Sequence, residues 1–180
     1  MIAFANANNY FEQRNCCLLG LSIDSNASHL AWVYDIYLKT GVKIPFPIVA
    51  DRNGSIARRY GMISNEISNT ETVRNVYFIN PDGIIKLILV YPLNVGRCIP
   101  EILRALEALQ IAEKCNGSTP ANWNLGSPII NPSPKTFIEL EERVKNIGNN
   151  TNGVSWYLSF KNQNECKDNC ICQNNVKKLN

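Results

Sequence analysis

The feature that most constrains this chain is a pair of β-rich runs, residues 73–79 and 84–91, joined by Asn80-Pro81-Asp82-Gly83. Proline presets its φ, asparagine and aspartate bond their own backbone, and glycine reaches positive φ, so the four residues reverse the chain and the flanking runs pair as a β-hairpin. Around this hairpin, helical spacing alternates with short apolar runs. Residues 2–14 have Ile2, Ala5, Ala7, Tyr10 and Phe11 at helical intervals, and residues 16–23 form a nearly unbroken apolar run suited to a strand covered on both faces in a parallel sheet. Asp24-Ser25-Asn26 then supplies cap-type residues for a helix carrying Leu30, Val33, Ile36 and Tyr37, with Gly41 past its end. That strand-loop-helix order is the grammar of an α/β fold.

The remaining elements are shorter or less regular. Pro45 and Pro47 make residues 44–50 an edge strand or a connection, because each proline lacks a donor. Residues 55–60 allow a short helix at most. Ile99, Ile102, Leu103, Leu106 and Leu109 mark an amphipathic helix that closes a first domain, residues 1–112. Gly117 and four prolines between residues 120 and 134 then predict an extended, irregular region, followed by a helix over 136–147 and an aromatic segment at Trp156-Tyr157-Leu158. Residues 113–160 form a smaller extension, and residues 161–180 a polar Cys/Asn-rich tail expected to be mobile.

Composition narrows the function by exclusion. A net charge of +3 from 18 basic and 15 acidic residues is too weak and too scattered for a nucleic-acid or membrane footprint, so neither is expected as a partner. No apolar stretch approaches the roughly 18 residues of a membrane span, and no basic region precedes an apolar run at the start, which makes a cytoplasmic location the expectation. Seven cysteines in such a chain read as thiols rather than a disulfide framework. There is no Walker loop, no Gly-rich dinucleotide fingerprint and no pair of zinc ligands at two-residue spacing, so no cofactor and no metal are expected.

Few residues remain as candidates for chemistry. His29, the only histidine, sits beside Ser28 at a helix start and reads as a solvated or capping residue rather than the base of a Cys–His pair. Cys166, Cys170 and Cys172 crowd the tail, where exposure and reach would let one attack an oxidised cysteine; plain solvent-exposed thiols are the simpler alternative. Arg74 interrupts a β-rich run in which Thr72, Arg74 and Val76 share one face. It is either an exposed strand residue or a guanidinium that stabilises an anion at a thiolate or peroxide site, and these residues alone admit both.

Gly20-Leu21-Ser22-Ile23-Asp24-Ser25 followed by Ser28-His29-Leu30-Ala31-Trp32 resembles the peroxiredoxins of the one-cysteine class and their archaeal and clostridial relatives. Further matches follow in the same order: Ile44-Pro45-Phe46-Pro47 with Ala50-Asp51, Thr72-Val73-Arg74, the hairpin turn, Tyr91-Pro92 with Gly96-Arg97, Glu101-Ile102-Leu103-Arg104, and Thr119-Pro120-Ala121-Asn122-Trp123. The resemblance implies a thioredoxin-like α/β fold lacking its N-terminal strands, with residues from about 113 forming a small dimerisation extension.

It also implies an activity, the thiol-dependent reduction of hydrogen peroxide or organic hydroperoxides through a cysteine sulfenic acid, with a thiol reductant as second partner and a homodimer or higher homo-oligomer as the assembly. By the resemblance Arg74 and Arg97 are the active-site arginines, and Trp32 and Thr72 line the pocket. The family's Thr-Pro-Val-Cys-Thr-Thr-Glu motif aligns directly ahead of the first helix, which puts the peroxide-attacking cysteine four residues before Met1. Resolving cysteines of two-cysteine relatives align with Gly153 and Ser159, leaving Cys166, Cys170 and Cys172, or an external thiol, to resolve the sulfenic acid. The expectation is a truncated or degenerate family member, either a peroxidase deprived of its nucleophile or a non-catalytic remnant that acts as a dimerisation or binding partner. A missing central strand would leave two inner sheet edges unpaired and cost more than the ~5–15 kcal/mol of a marginal domain.

Overall fold

Residues 1–63, 74–147 and 153–166 are described in the computed structural model, and they fall into two compact units, Met1–Leu103 and Arg104–Asn180. In the first unit, α1 (Ile2–Glu12) buries Ala7 and Phe11, four residues apart on one helical face. No side chain caps its first turn. β1 (Gly20–Ser22) pairs in parallel with β2 (Ile48–Ala50), and the Gly20 amide donates to the carbonyl of Pro47 at 2.9 Å. The strand expected over 16–23 thus shrinks to three residues, none of them buried, because among the described residues β1 has one strand neighbour rather than two. Among the described residues β2 is paired on one side only, and Pro45 and Pro47, which precede it, have no amide N–H to leave unpaired.

α2 (Asn26–Thr40) begins and ends where its sequence signals lie. Ser25 accepts the amide of Ser28 at 3.1 Å, and Gly41, at φ 72°, donates to the carbonyl of Tyr37 at 2.8 Å. The short α3 (Ser55–Arg59) is organised by the buried carboxylate of Asp51, which accepts the amides of Ala57 at 2.7 Å and Ile56 at 3.2 Å. The hairpin forms as expected. β3 (Arg74–Ile79) pairs antiparallel with β4 (Ile85–Tyr91), Arg74 opposite Tyr91, with an irregularity between Phe78 and Ile79. Gly83 has φ 78°, and Asn80 Oδ1 accepts the amide of Ile84 at 2.8 Å, which ties the turn across its own mouth. Among the described residues the four strands make two separate pairs, so β1 and β3 share no ladder.

The division between the units falls within α4 (Ile99–Lys114), whose Ile102, Ala105 and Leu106 are buried at helical spacing. In the second unit β5 (Ile129–Ile130), β6 (Gly153–Ser155) and β7 (Leu158–Lys161) form an antiparallel sheet in the order β5-β7-β6. Between α4 and α5 (Phe137–Ile147) the proline-rich segment is more regular than its composition suggests. Ser118 and Ile130 exchange amide-to-carbonyl bonds of 3.0 and 2.8 Å, and a Cβ at Gly117 would lie 2.8 Å from the carbonyl of Ile130, so only glycine permits that approach. α5 opens on a pair of side-chain caps: the Thr136 hydroxyl accepts the amide of Glu139, whose carboxylate accepts the amide of Lys135, one residue before the cap.

Trp123, Ile129 and Cys115 make the core of this unit, with Ala108, Ile111 and Cys166 against it. Two expectations change here. The polar tail does not begin at residue 161, since β7 runs through Lys161 and a 3-10 turn (Gln163–Glu165) follows. Cys115 and Cys166, 51 residues apart, are joined in a disulfide with Cα atoms 4.8 Å apart, so these two are not thiols. Their sequence spacing carried no hint of it. No described helix is long and apolar enough to cross a membrane.

Candidate functional site

Positive charge gathers at the start of α1. Arg74 opens β3, opposite Tyr91 at the end of β4, and Arg97 lies in the segment between β4 and α4. The two guanidiniums act on each other and on the start of α1. The α-ammonium of Met1 is held below its ordinary pKa by burial, then by the charges of Arg97 and Arg74. Arg97 is likewise pulled down by partial burial, then by Arg74, with Tyr91 acting in the opposite direction. The Arg97 guanidinium also stands 5.9 Å from the ring centre of Phe4, one turn into α1, a cation–π contact that fixes its direction.

Among the described residues no carboxylate pairs with either guanidinium. Two cations that no described carboxylate neutralises, beside a helix end whose first amides lack intrahelical acceptors, can stabilise an anion or a group that gains negative charge during a reaction. Sequence reasoning singled out Arg74 and Arg97 but not Phe4 and Tyr91 beside them, whose contacts join separate elements and leave no local motif.

The other sequence candidates do not converge on this corner. Trp32 lies on α2 with 51 % of its surface exposed, and among the described residues no hydrogen bond or ring contact links it to the arginines. Thr72, Cys170 and Cys172 lie outside the described residues. Cys166 belongs to the second unit and is bonded to Cys115. Of the free cysteines, Cys16 and Cys17 follow the far end of α1, roughly 16 Å from its start at 1.5 Å per residue. Burial, then the neighbouring Cys17, pushes the Cys16 thiol up, away from the reactive thiolate form. Cys98 is exposed, follows Arg97 directly, and offers its carbonyl to the amide of Ile102 at 3.1 Å in the first turn of α4.

His29 corrects the sequence reading. It is only 6 % exposed, and its Nε2 lies 2.6 Å from Ser22 Oγ, which in turn donates to Asp24 Oδ2 at 2.8 Å. It ties α2 to the end of β1 rather than facing solvent. Among the described residues no cluster of three or more His, Cys, Asp or Glu could hold a metal ion. A cleft of about 350 Å³ in the second unit, walled by Trp123, Ser127, Pro128 and Phe160, contains none of the candidate site residues.

The chain is similar to known peroxiredoxins over most of its length. The AhpC/TSA family profile matches residues 1–88. Peroxiredoxin 2 of Caldanaerobacter subterraneus is 50 % identical over 160 residues, which cover 89 % of this chain and 72 % of that protein. A peroxiredoxin of Aquifex aeolicus is 40 % identical over 170 residues, covering 89 % of this chain and 75 % of its own length. Among solved structures, the yeast mitochondrial 1-Cys peroxiredoxin, studied for its thiol resolving mechanism with glutathione and thioredoxin systems, superposes with a TM-score of 0.75 at 33 % identity, covering 89 % of this chain and 76 % of that one.

Proposed function

The chain belongs to the AhpC/TSA family of peroxiredoxins, which are thiol-dependent peroxidases, and we propose that its described residues supply the anion-stabilising part of the peroxide site rather than the attacking thiol. In the reaction a cysteine thiolate attacks one oxygen of hydrogen peroxide or an organic hydroperoxide. An S–O bond forms, the O–O bond breaks, and the departing oxygen leaves as water or alcohol after taking a proton, so that sulfenic acid remains on the cysteine. Negative charge starts on sulfur and ends on the leaving oxygen. Guanidinium groups fixed beside both positions stabilise the thiolate before the step and the developing charge within it.

The observation that carries this reading is the convergence of Arg74, Arg97 and the start of α1. A thiol held at the start of α1 would face both arginines. Cys16 and Cys17 follow the opposite end of α1, and Cys115 and Cys166 are spent on each other. In this reading the sulfenic acid is resolved by Cys170, Cys172 or an external thiol reductant, and by Cys166 only once its bond to Cys115 opens. The second unit, with the exposed Trp156 and Tyr157, supplies a homodimer contact, and the protein works in the cytoplasm. Without a thiol at the corner, the chain serves as a non-catalytic partner of intact relatives.

The reading is tested by supplying a thiol at the start of α1. On a four-residue extension bearing cysteine at its first position, hydrogen peroxide is expected to form trappable sulfenic acid there at least ~10-fold faster than at Cys16 or Cys17. Arg74→Met and Arg97→Met should each remove that advantage. The unextended chain should consume no peroxide with a thiol reductant. Turnover by the unextended chain that is lost in Cys98→Ser would move the nucleophile to Cys98 and overturn the proposal.

A further inference from the structure

The Cys115–Cys166 pair combines two unequal sulfurs in one bond. Cys115 follows the last residue of α4 and is 4 % exposed, sealed among Trp123 and Ile129. Cys166 packs on that core from outside and remains partly open, after the 3-10 turn that ends the described chain. Among the described residues, the segment it anchors has few other ties. Gln163 Nε2 donates to the carbonyl of Ser127 at 2.9 Å, Asn162 Nδ2 donates to Glu165 Oε1 at 3.2 Å, and the amide of Cys166 donates back to Gln163 at 3.2 Å. Just before it, the Lys161 ammonium donates to the carbonyl of Cys115 at 2.6 Å, which holds a positive charge beside the residue whose sulfur would leave as a thiolate.

From this asymmetry we infer that Cys115–Cys166 is a second redox site of the chain, a reversible disulfide that a dithiol reductant opens by attack at Cys166 and that releases residues 162–166 from the Trp123 core. The reductant's thiolate forms a new S–S bond with Cys166, and the Cys115 sulfur leaves as thiolate and takes up a proton. The reductant's second thiol then attacks its own sulfur in the mixed disulfide, freeing Cys166. In balance the dithiol becomes a disulfide, and two electrons and two protons pass to Cys115 and Cys166. Closure runs through peroxide. A hydroperoxide converts the accessible Cys166 thiolate to sulfenic acid, its other oxygen leaving as alcohol or water, and Cys115 displaces the sulfenic oxygen as water while the S–S bond reforms. Accessibility assigns the order: solvent reaches Cys166, while the core shields Cys115.

Both cysteines lie in the second unit, and the site does not depend on the arginine corner being catalytic. Three measurements on the full chain test it. After alkylation and digestion without reductant, the peptides bearing Cys115 and Cys166 should run as one linked species that dithiothreitol separates. In the folded protein, reduction should speed tryptic cleavage after Lys161 by roughly ten-fold, as expected when an anchored segment opens locally. Cys166→Ser should be cleaved at the reduced rate whatever the redox state, while Cys98→Ser keeps the wild-type response. Once the bond is fully reduced, limiting alkylation should label the accessible Cys166 before the shielded Cys115. Free thiols at both positions, a link from Cys115 to Cys170 or Cys172 instead, or a cleavage rate at Lys161 indifferent to dithiothreitol in the wild-type chain would each overturn the inference.

Discussion

In the first unit, order comes from backbone pairing and from polar side chains that tie backbone ends: Ser25 at α2, Asp51 at α3, Asn80 in the hairpin. In the second, a buried tryptophan and a covalent bond hold short strands and a proline-rich segment together. Both leave large apolar side chains in water, Leu30 and Val90 in one and Phe137 and Val154 in the other, so neither rests on a large core of its own. The difference lies in where stability is concentrated. The first unit spreads it over many local bonds and leaves its charged corner open, whereas the second gathers it at one point that a single change in oxidation state or side chain can remove.

The comparison breaks most sharply at Trp123. The side chain is 1 % exposed, and its indole donates to the carbonyl of Ser127 at 3.0 Å. Trp123→Ala should cost about 3–5 kcal/mol, read as a loss of hydrogen-exchange protection confined to residues after 103. Equal loss in both units would show that they unfold as one.

A smaller effect is expected at Asp51, in the first unit. Burial acts to raise its pKa, but the amides of Ala57 and Ile56 and the hydroxyl and amide of Ser55 outweigh it, and the group is held below the ordinary carboxylate range. A depressed folded pKa contributes stability above the unfolded value, which is lost as pH falls through the folded one. Protection of α3 should therefore fall on acidification below about pH 4, and Asp51→Asn should flatten that dependence. Protection that stays constant through the acid range would contradict it.

The smallest effects should be alike in the two units. Ser25→Ala and Thr136→Ala each remove a helix N-cap and should cost about 1 kcal/mol, measured as a shift in the denaturation midpoint of the unit concerned. A much larger loss at Thr136 would mean that α5 depends on its cap more than on its neighbours.

How much of this was legible beforehand depends on the range of the interactions. The hairpin, both ends of α2, the short α3 and the start of α5 could be read because each is set by residues within a few positions of one another. The strand over 16–23 was overextended because an apolar run shows what could pair and carries no count of its neighbours. At the site, Arg74 and Arg97 were reached through the family pattern, and what unites them, with Phe4 and Tyr91, is a meeting of α1 with the two ends of the hairpin.

By itself the sequence determined the local elements and the lineage, since turns, caps and ordered motifs are properties of neighbouring residues. Only the tertiary structure decided that His29 is buried against Ser22, that two arginines share one corner, and that Cys115 and Cys166 are partners across 51 residues. Pairing at that distance depends on where α4 and β7 come to rest, and no spacing of cysteines along a chain encodes the position of either.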